Sequence, residues 1–387
     1  MEASHSVSVA GWLFLIPIAL LVYHWVAFPA ILHIVVRLAC RRTTAANLGM
    51  PSVSVLVPAY NEEAAIGAKV RNCLELEYPS AALEILVVSD ASTDNTDAIA
   101  AAECRGRVRL VRLARRVGYS GVLSRLAQLA RGELLFFTDA DVLLEHKALL
   151  ELIGALADPS IGVACARYRR SRGDGHAGEG LYDQFESWLK QNESQLGALA
   201  GAYGAAMLVR RKAWRPVPDD TILGDLWIAN TAQLMGFGVV QVDTALATGQ
   251  IDSVAGEFRR RARIGRGALQ AFLRRPASYA PWAGVREWVM FSHKGLRLFA
   301  PWLLLTALVG NIVGVWSSKI WLVPLVVQCA ILASIPLLLV RRAARFHRLL
   351  FVQYFVLMNA ALAVGAVVHI VKHGRSSLWQ TPRQVPD

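Results

Sequence analysis

The stretch LLFFTDADVLL, Leu134 to Leu144, follows an apolar run with two carboxylates one residue apart, Asp139 and Asp141. An ionised carboxylate is costly to take out of water unless it is hydrogen-bonded, paired or bound to a cation. In extended backbone, residues i and i+2 point the same way, so both side chains can face one cation. Hard divalent cations such as Mg2+ or Mn2+ take oxygen ligands, commonly one or two carboxylates with the balance from substrate phosphate. A solvated turn with one Asp capping the next helix fits the same short pattern. The neighbouring segments decide between them.

Between Pro51 and about Pro281, short β-rich runs alternate with helical patterns. VSVLVPA reads as a buried strand, and NEEAAIGAKVRNCLEL has helical spacing, with Asn61 as N-cap and acidic residues early, where the helix dipole favours them. LEILVVSD is a second strand, STDNTDAIAAAE opens a second helix, VRLVRL reads as a third strand, and YSGVLSRLAQLA is helical before ELLFFTDAD. Alternation of this kind predicts an α/β fold with a mainly parallel sheet. Ligands of such sheets bind beyond the carboxyl ends of the strands. Polar residues collect there: Tyr60, Asn61 and Glu62 after the first strand, Asp90 after the second, Asp139 and Asp141 after a later one. Three strand ends carrying such groups make the paired aspartates a site.

VSVLVPAYNEEAAI, VVSDASTDNT and FFTDAD, in this order and spacing, resemble the membrane-integrated glycosyltransferases of family 2, which include cellulose, hyaluronan and chitin-oligosaccharide synthases and exopolysaccharide enzymes. The resemblance runs from about Pro51 to Pro301. It implies a GT-A nucleotide-sugar-binding domain and an inverting transfer from a nucleoside diphosphate sugar, a UDP-sugar by expectation. Carried over by position, Pro58, Tyr60 and Glu62 hold the nucleobase and ribose, and Asp90 meets the base. Asp139 lies near the ribose and diphosphate, and Asp141, with Asp139, binds Mg2+ or Mn2+.

GAYGAAMLVRRKAW resembles the family segment that shapes the acceptor and donor-sugar pocket, where Gly201 and Gly204 permit close backbone approach, as ordinary turn glycines also do. LGDLWIANTAQLMGFG resembles its acidic motif opening a helix that ends in Gly-aromatic, which puts Asp225 on the catalytic-base position, with Asp219 and Asp220 as competing carboxylates. EFRRRARIGRGALQAF stands where the family has a loop clamping the diphosphate, and Arg260 and Arg263 match the first and fourth positions of its Gln-x-x-Arg-Trp motif. Arginine suits bidentate phosphate contact, and a basic membrane-surface helix is the plainer reading of the same run. The chain departs from the family at Arg260 and Ile264, where that motif has Gln and Trp, at Tyr119, where Lys is usual, and at Gly224, where an acid precedes the base. These departures favour transfer of one or a few sugars over processive synthesis.

Hydrophobic residues make up 55% of the 387 and charged residues 18%, more apolar than a soluble average. The excess is concentrated in four stretches free of Asp, Glu, Lys and Arg: Ala3–Val36, Leu298–Ser318, Ile320–Val340 and Leu349–Val371. Each reaches the ~20 residues needed to cross a bilayer core of about 30 Å. The first lacks the basic lead-in of a signal peptide and is too long for one. The expected organisation is a transmembrane helix over 1–40, the glycosyltransferase domain over 51–280, an interfacial helix over 281–297, three spans within 298–372 and a tail over 373–387. Basic segments RLACRR and RRAARFHR beside the spans place the large domain in the cytoplasm of a multi-pass inner-membrane protein, while the basic tail segment VKHGRSS pulls the other way.

The net charge of +12 suits an anionic leaflet, and no nucleic-acid motif accompanies the arginines. Cysteines at 40, 73, 104, 165 and 329 form no CxxC pair, so neither zinc nor a disulfide framework is expected. The partners implied are a nucleoside diphosphate sugar, a lipid-linked or glycan acceptor, the membrane and a polysaccharide assembly. A catalytically weak scaffold and a basic membrane-binding module are the rival classes, and the presence of Asp90, Asp139, Asp141 and Asp225 together argues against both.

Overall fold

The structure is a computed structural model that describes residues 2–39, 49–104, 106–171, 181–250, 254–333 and 347–371. The expected basic segments at 40–42 and 341–346, residues 334–340 of the expected third span and the tail at 373–387 lie outside the described residues. The chain divides into a sheet unit, mainly Leu32–Asp252 with Arg275–Met290, and a helical unit of Met1–Ile31, Ser253–Arg274 and Phe291–Gly374.

In chain order, Glu2–Val22 (α1) passes through a π-helical turn at Tyr23–Ala27 into Phe28–Leu38 (α2). The sheet unit follows with Val53–Ala59 (β1), Ile66–Leu74 (α3), Leu83–Ser89 (β2), Thr96–Glu103 (α4), Val108–Arg112 (β3) and Tyr119–Leu129 (α5). Leu134–Thr138 (β4), Leu143–Leu144 (β5), Ala148–Ala155 (α6), Ile161–Ser171 (β6), Leu181–Gln195 (α7), Ala206–Arg210 (β7), Gly224–Leu234 (α8) and Gly238–Gln250 (β8) complete it. Val254–Arg274 (α9), Val285–Met290 (α10), Leu296–Val315 (α11), Leu322–Ala333 (α12) and His347–Val371 (α13) come last.

The sheet runs in the order β3-β2-β1-β4-β7-β6-β8-β5. β1 pairs parallel with β2 and β4, as β2 does with β3 and β6 with β8, whereas β7 runs antiparallel between β4 and β6. The alternation explains why apolar runs without a polar face become strands here. Leu134 and Phe136 of β4 join one hydrophobic cluster with Val55, Val57 and Leu208, while Leu135 and Phe137 join another with Leu56, Val88 and Met207. Successive strand side chains point to opposite faces, and a sheet covered on both faces is apolar on both. The β1/β2/β4 register brings Ala59, Ser89 and Thr138 to one edge of the sheet. The antiparallel β4/β7 pairing, Thr138 opposite Ala206, adds the residues just before β7 to that edge.

In the helical unit α1 and α11 pack closely: a Cβ at Gly310 would lie 2.8 Å from the backbone of Leu13 and Phe14. α9 and α13 cross through small residues, with Gly365 against Ala262 and Gly265 against Leu362, so close that a Cβ at either glycine would collide with backbone. The His24 ring nitrogen Nδ1 lies 2.6 Å from the Ser292 carbonyl, and the Tyr23 and Ser292 hydroxyls are 2.9 Å apart, joining two π-helical turns. Val9–Leu38 (30 residues) and Val285–Val315 (31 residues) are long and apolar enough to cross a membrane, and Lys319–Ala333 and Phe355–Val371 are shorter apolar helices. Val285–Val315 runs as one helix through a π-helical turn at Phe291–Gly295, so the residues expected as an interfacial helix and those expected as the following span share one helix.

Candidate active site

The first two strand-end loops are tied to each other by side chains that the sequence supplies at matching offsets. Asn61 adopts a left-handed backbone, φ 52°, a conformation Asn tolerates better than most residues. Its side-chain Oδ1 accepts from the Thr93 amide at 2.9 Å, and the Glu62 amide donates to Thr96 Oγ1 at 2.7 Å. Pro58 is buried within β1, Glu62 is buried, and Tyr60 is half-buried at the rim.

Asp90 is fully buried, and its two oxygens accept from the backbone amides of Val117 (2.7 Å) and Gly118 (2.9 Å). The Arg116 guanidinium lies 4.0 Å from the same carboxylate and 3.7 Å from the centroid of the Tyr60 ring, stacked on it. The sequence reading gives Asp90 to the base. In the structure its carboxylate turns inward and organises the 116–118 loop, and Arg116 occupies one face of Tyr60. The physical reason is Gly118, whose φ of 83° is open to glycine and lets two successive amides converge on one carboxylate. Sequence reasoning missed Arg116, which stands in a run of two arginines with nothing local to mark it.

The paired aspartates follow β4 directly. The Asp139 amide donates to the Ala205 carbonyl at 3.3 Å, and Asp139 Oδ1 accepts from the Tyr119 hydroxyl at 3.0 Å. Ala140 is buried and Asp141 is exposed. Lys69 lies beneath this turn with no solvent exposure, its ammonium donating to Thr138 Oγ1 at 2.7 Å and to the Val142 carbonyl at 2.6 Å. Burial pulls that ammonium below lysine's ordinary pKa, and the nearby Cys73, Asp139 and Asp141 pull the other way. One turn further along α3, Asn72 exchanges hydrogen bonds with both backbone groups of Leu144 at 2.8 Å. Sequence reasoning missed Lys69 too. The available signal was a lysine set among the buried Ile66, Val70 and Cys73 of one helix.

Asp225 opens α8 after Gly224, is half-buried, and accepts from the Leu226 amide at 2.8 Å. Gly204 packs on it: a Cβ there would stand 2.7 Å from Asp225 Cβ and 3.3 Å from Oδ2. Since Ala205 pairs with Asp139, the two carboxylate positions are joined through the residues preceding β7. Gly224 is pressed against α5, where a Cβ would meet Leu123 Cδ1 at 2.8 Å and Tyr119 Cε1 at 3.7 Å. Tyr119 therefore touches the neighbourhood of both acids. Gly201 is half-buried three residues before Gly204, and between them Tyr203 stacks on Tyr168 with centroids 4.3 Å apart.

The far end of α8 is held by arginines. Arg275 lies 3.5 Å over the Trp227 ring and donates to Thr231 Oγ1, and Arg286 donates to the carbonyls of Gln233 in the last turn of α8 and of Gly236 just beyond it. Asp219 and Asp220 are exposed on a loop pinned to α5 by Ser120 and Ser124. Arg260 and Arg263 belong to the helical unit. There α9 is a continuous helix, Arg260 forks onto Glu257 at 2.7 and 2.8 Å, and Arg263 is exposed.

Two carboxylates one residue apart are a donor set for a hard divalent cation. Among the described residues no group of three or more His, Cys, Asp or Glu forms a closed metal cage. An ion here would therefore draw its remaining ligands from water and substrate, as Mg2+ sites on phosphates commonly do.

Residues 54–216 match the family profile Glycosyl transferase family 2. They form a glycosyl transferase family 2 domain. The domain holds β1 to β7 with Asp90, Asp139, Asp141 and Gly204, and Asp225 follows it. The chain is similar to β-monoglucosyldiacylglycerol synthase of Nostoc sp., 30% identical over 190 residues, 46% of this chain and 40% of that protein. It is also similar to glycosyltransferase AglD of Haloferax volcanii, 38% identical over 119 residues, 29% of this chain and 19% of that protein. It thus spans two fifths or less of these curated relatives' lengths. Among solved structures, the mannosyltransferase PcManGT of Pyrobaculum calidifontis, in complex with GDP-Man and Mn2+, has a TM-score of 0.72 at 24% identity, covering 92% of this chain and 98% of that one. The family 2 domain thus has the GT-A fold, an open, mostly parallel mixed sheet with helices on both faces.

Proposed function

We propose that this protein is an inverting, membrane-integrated glycosyltransferase, moving a sugar from a nucleoside diphosphate sugar, in the first instance a UDP-sugar, to a lipid-linked or glycan acceptor at the cytoplasmic membrane face. The observation that carries the reading is the contact chain Asp139–Ala205–Gly204–Asp225, in which the turn with the paired aspartates lies beside a further carboxylate at a helix start. Such a site has somewhere to put a leaving diphosphate and something to take a proton.

In the reaction the bond from the anomeric carbon to the diphosphate oxygen breaks, and the diphosphate leaves with its electron pair. The acceptor hydroxyl oxygen forms the new bond to that carbon from the opposite face, and its proton passes to the Asp225 carboxylate. General-base help of this kind is worth roughly 10²–10⁴ in rate. Asp225 is kept in place by its own helix-terminal amide contact and by Gly204. Tyr119 holds Asp139 through its hydroxyl, and the Tyr60–Arg116 stack offers a flat cationic rim for the nucleoside. When bound, Mg2+ or Mn2+ at Asp141 with Asp139 supplies Lewis-acid stabilisation of the departing diphosphate. Arg260 and Arg263 are assigned to the diphosphate by resemblance alone.

A membrane-associated acceptor is supported by the two helices long enough to span and by the diacylglycerol in the name of one relative. The departures at Arg260 and Ile264 favour addition of one or a few sugars over processive synthesis. The test is a panel of UDP- and GDP-sugars offered to the detergent-solubilised full chain with a membrane lipid extract, reading released nucleoside diphosphate. Release that requires one donor, Mn2+ or Mg2+ and the lipid extract supports the reading, and no release with any donor overturns it.

A further inference from the structure

The feature left over by this mechanism is Lys69. It is a charged side chain with zero exposure, a rare placement for lysine, and no step of the transfer uses it. Its two hydrogen bonds go to the residues immediately before Asp139 and immediately after Asp141, Thr138 and Val142. Thr138 Oγ1 also donates to the Ala205 carbonyl at 2.9 Å. The hydroxyl proton is thus committed to Ala205, and the threonine oxygen must accept from Lys69. The ammonium is fastened under the turn at both ends and cannot swing away as a surface lysine does. The turn accordingly carries two carboxylates and one fixed opposing charge, a single net negative charge where a divalent cation is to bind.

Resting on the glycosyltransferase reading above, we propose that Lys69 is a built-in counter-charge that makes metal uptake by Asp139 and Asp141 conditional on the diphosphate. Without nucleotide, the ammonium fixed under the turn offsets part of the carboxylates' charge and repels an incoming divalent ion. The diphosphate brings the negative charge that outweighs this repulsion, so metal and nucleotide enter together. The same arrangement favours departure of the metal with the product diphosphate. Lys69 touches neither substrate nor reacting atoms and is a positioning residue.

The experiment measures Mn2+ binding to the full-length protein in detergent by loss of the free-ion paramagnetic resonance signal, with and without UDP, and with GDP in parallel. Wild-type protein should bind Mn2+ weakly alone and at least ~10-fold more tightly with the nucleotide that it accepts. Lys69→Met, and Lys69→Gln as a gentler variant whose amide still donates to the turn, should bind Mn2+ without nucleotide about tenfold more tightly than wild type, the order expected for losing one opposing charge. Both should turn over more slowly. A lysine that merely braces the fold predicts the opposite sign, weaker Mn2+ binding along with lower activity. Unchanged or weakened nucleotide-free Mn2+ binding in the neutral variants overturns the proposal. Equal Mn2+ binding by the wild-type protein with and without nucleotide also contradicts the proposal. Failure of UDP and GDP to bind under any condition would count against the glycosyltransferase reading, while the effect of Lys69→Gln on Mn2+ alone would still test the counter-charge.

Discussion

Asp139 and Asp141 look alike in the sequence and are not alike in the protein. Asp139 is half-buried and tethered by Tyr119, whereas Asp141 stands exposed at the tip of the turn. Asp141→Asn should therefore leave stability within about ±0.5 kcal/mol of wild type, as for other exposed positions, yet abolish metal-dependent turnover, because a neutral amide is a poor ligand for a hard cation. Thermal unfolding and a Mn2+ titration of activity check the two halves, and wild-type activity persisting in excess EDTA would remove the metal assignment. Gly204 is the second residue whose role is sharpened by geometry. Gly204→Ala places a methyl 2.7 Å from Asp225 Cβ, and misplacing a catalytic group by about 1 Å can cost up to 10²-fold. A fall in kcat of between ~10- and ~100-fold with nucleotide affinity unchanged is expected from steady-state kinetics and nucleotide titration. At this scale the sequence was legible where a charge ended an apolar run, as at Asp139, and silent where the partner came from elsewhere in the chain. Arg116 reaches Tyr60 and Lys69 reaches Thr138 only after the sheet forms, and no local spacing encodes either contact.

At the scale of elements, strands were readable because a sheet covered on both faces needs uninterrupted apolar runs. The antiparallel β7 was less so: AMLVR is short, and its direction is set by pairing with β4 rather than by its own residues. α9 is the element whose character the sequence left open. Its arginines fit both a phosphate-binding loop and a basic helix, and it is a helix packed on α13 through Gly265 and Gly365. Small residues at such crossings let backbones approach within van der Waals reach. Gly365→Leu should force α13 off α9, with overpacking costing typically 1–3 kcal/mol, so roughly that loss is expected. A lowered unfolding transition in detergent checks this, and an unchanged transition would show that the crossing contributes nothing to stability.

For the whole molecule, the proposal joins a family 2 domain to a membrane. Basic residues resist translocation, so a cysteine introduced within 341–346 and one introduced near Asp141 should both be protected from an impermeant thiol reagent in intact cells. Labelling of the 341–346 cysteine from outside would overturn the four-span arrangement. The central claim, that the strand-end carboxylates and the opening of α8 form one transfer site, is tested most directly by Asp225→Asn beside Asp220→Asn, each measured for nucleoside diphosphate affinity and for sugar transfer. The diphosphate is held by groups other than the base, so Asp225→Asn should bind it near wild-type affinity and transfer at least ~10²-fold more slowly, the low end for a lost general base. Asp220→Asn, on an exposed loop, should stay within several-fold of wild type in both. A severe loss of transfer in Asp220→Asn with a mild one in Asp225→Asn would contradict the account and move the base to the loop before α8.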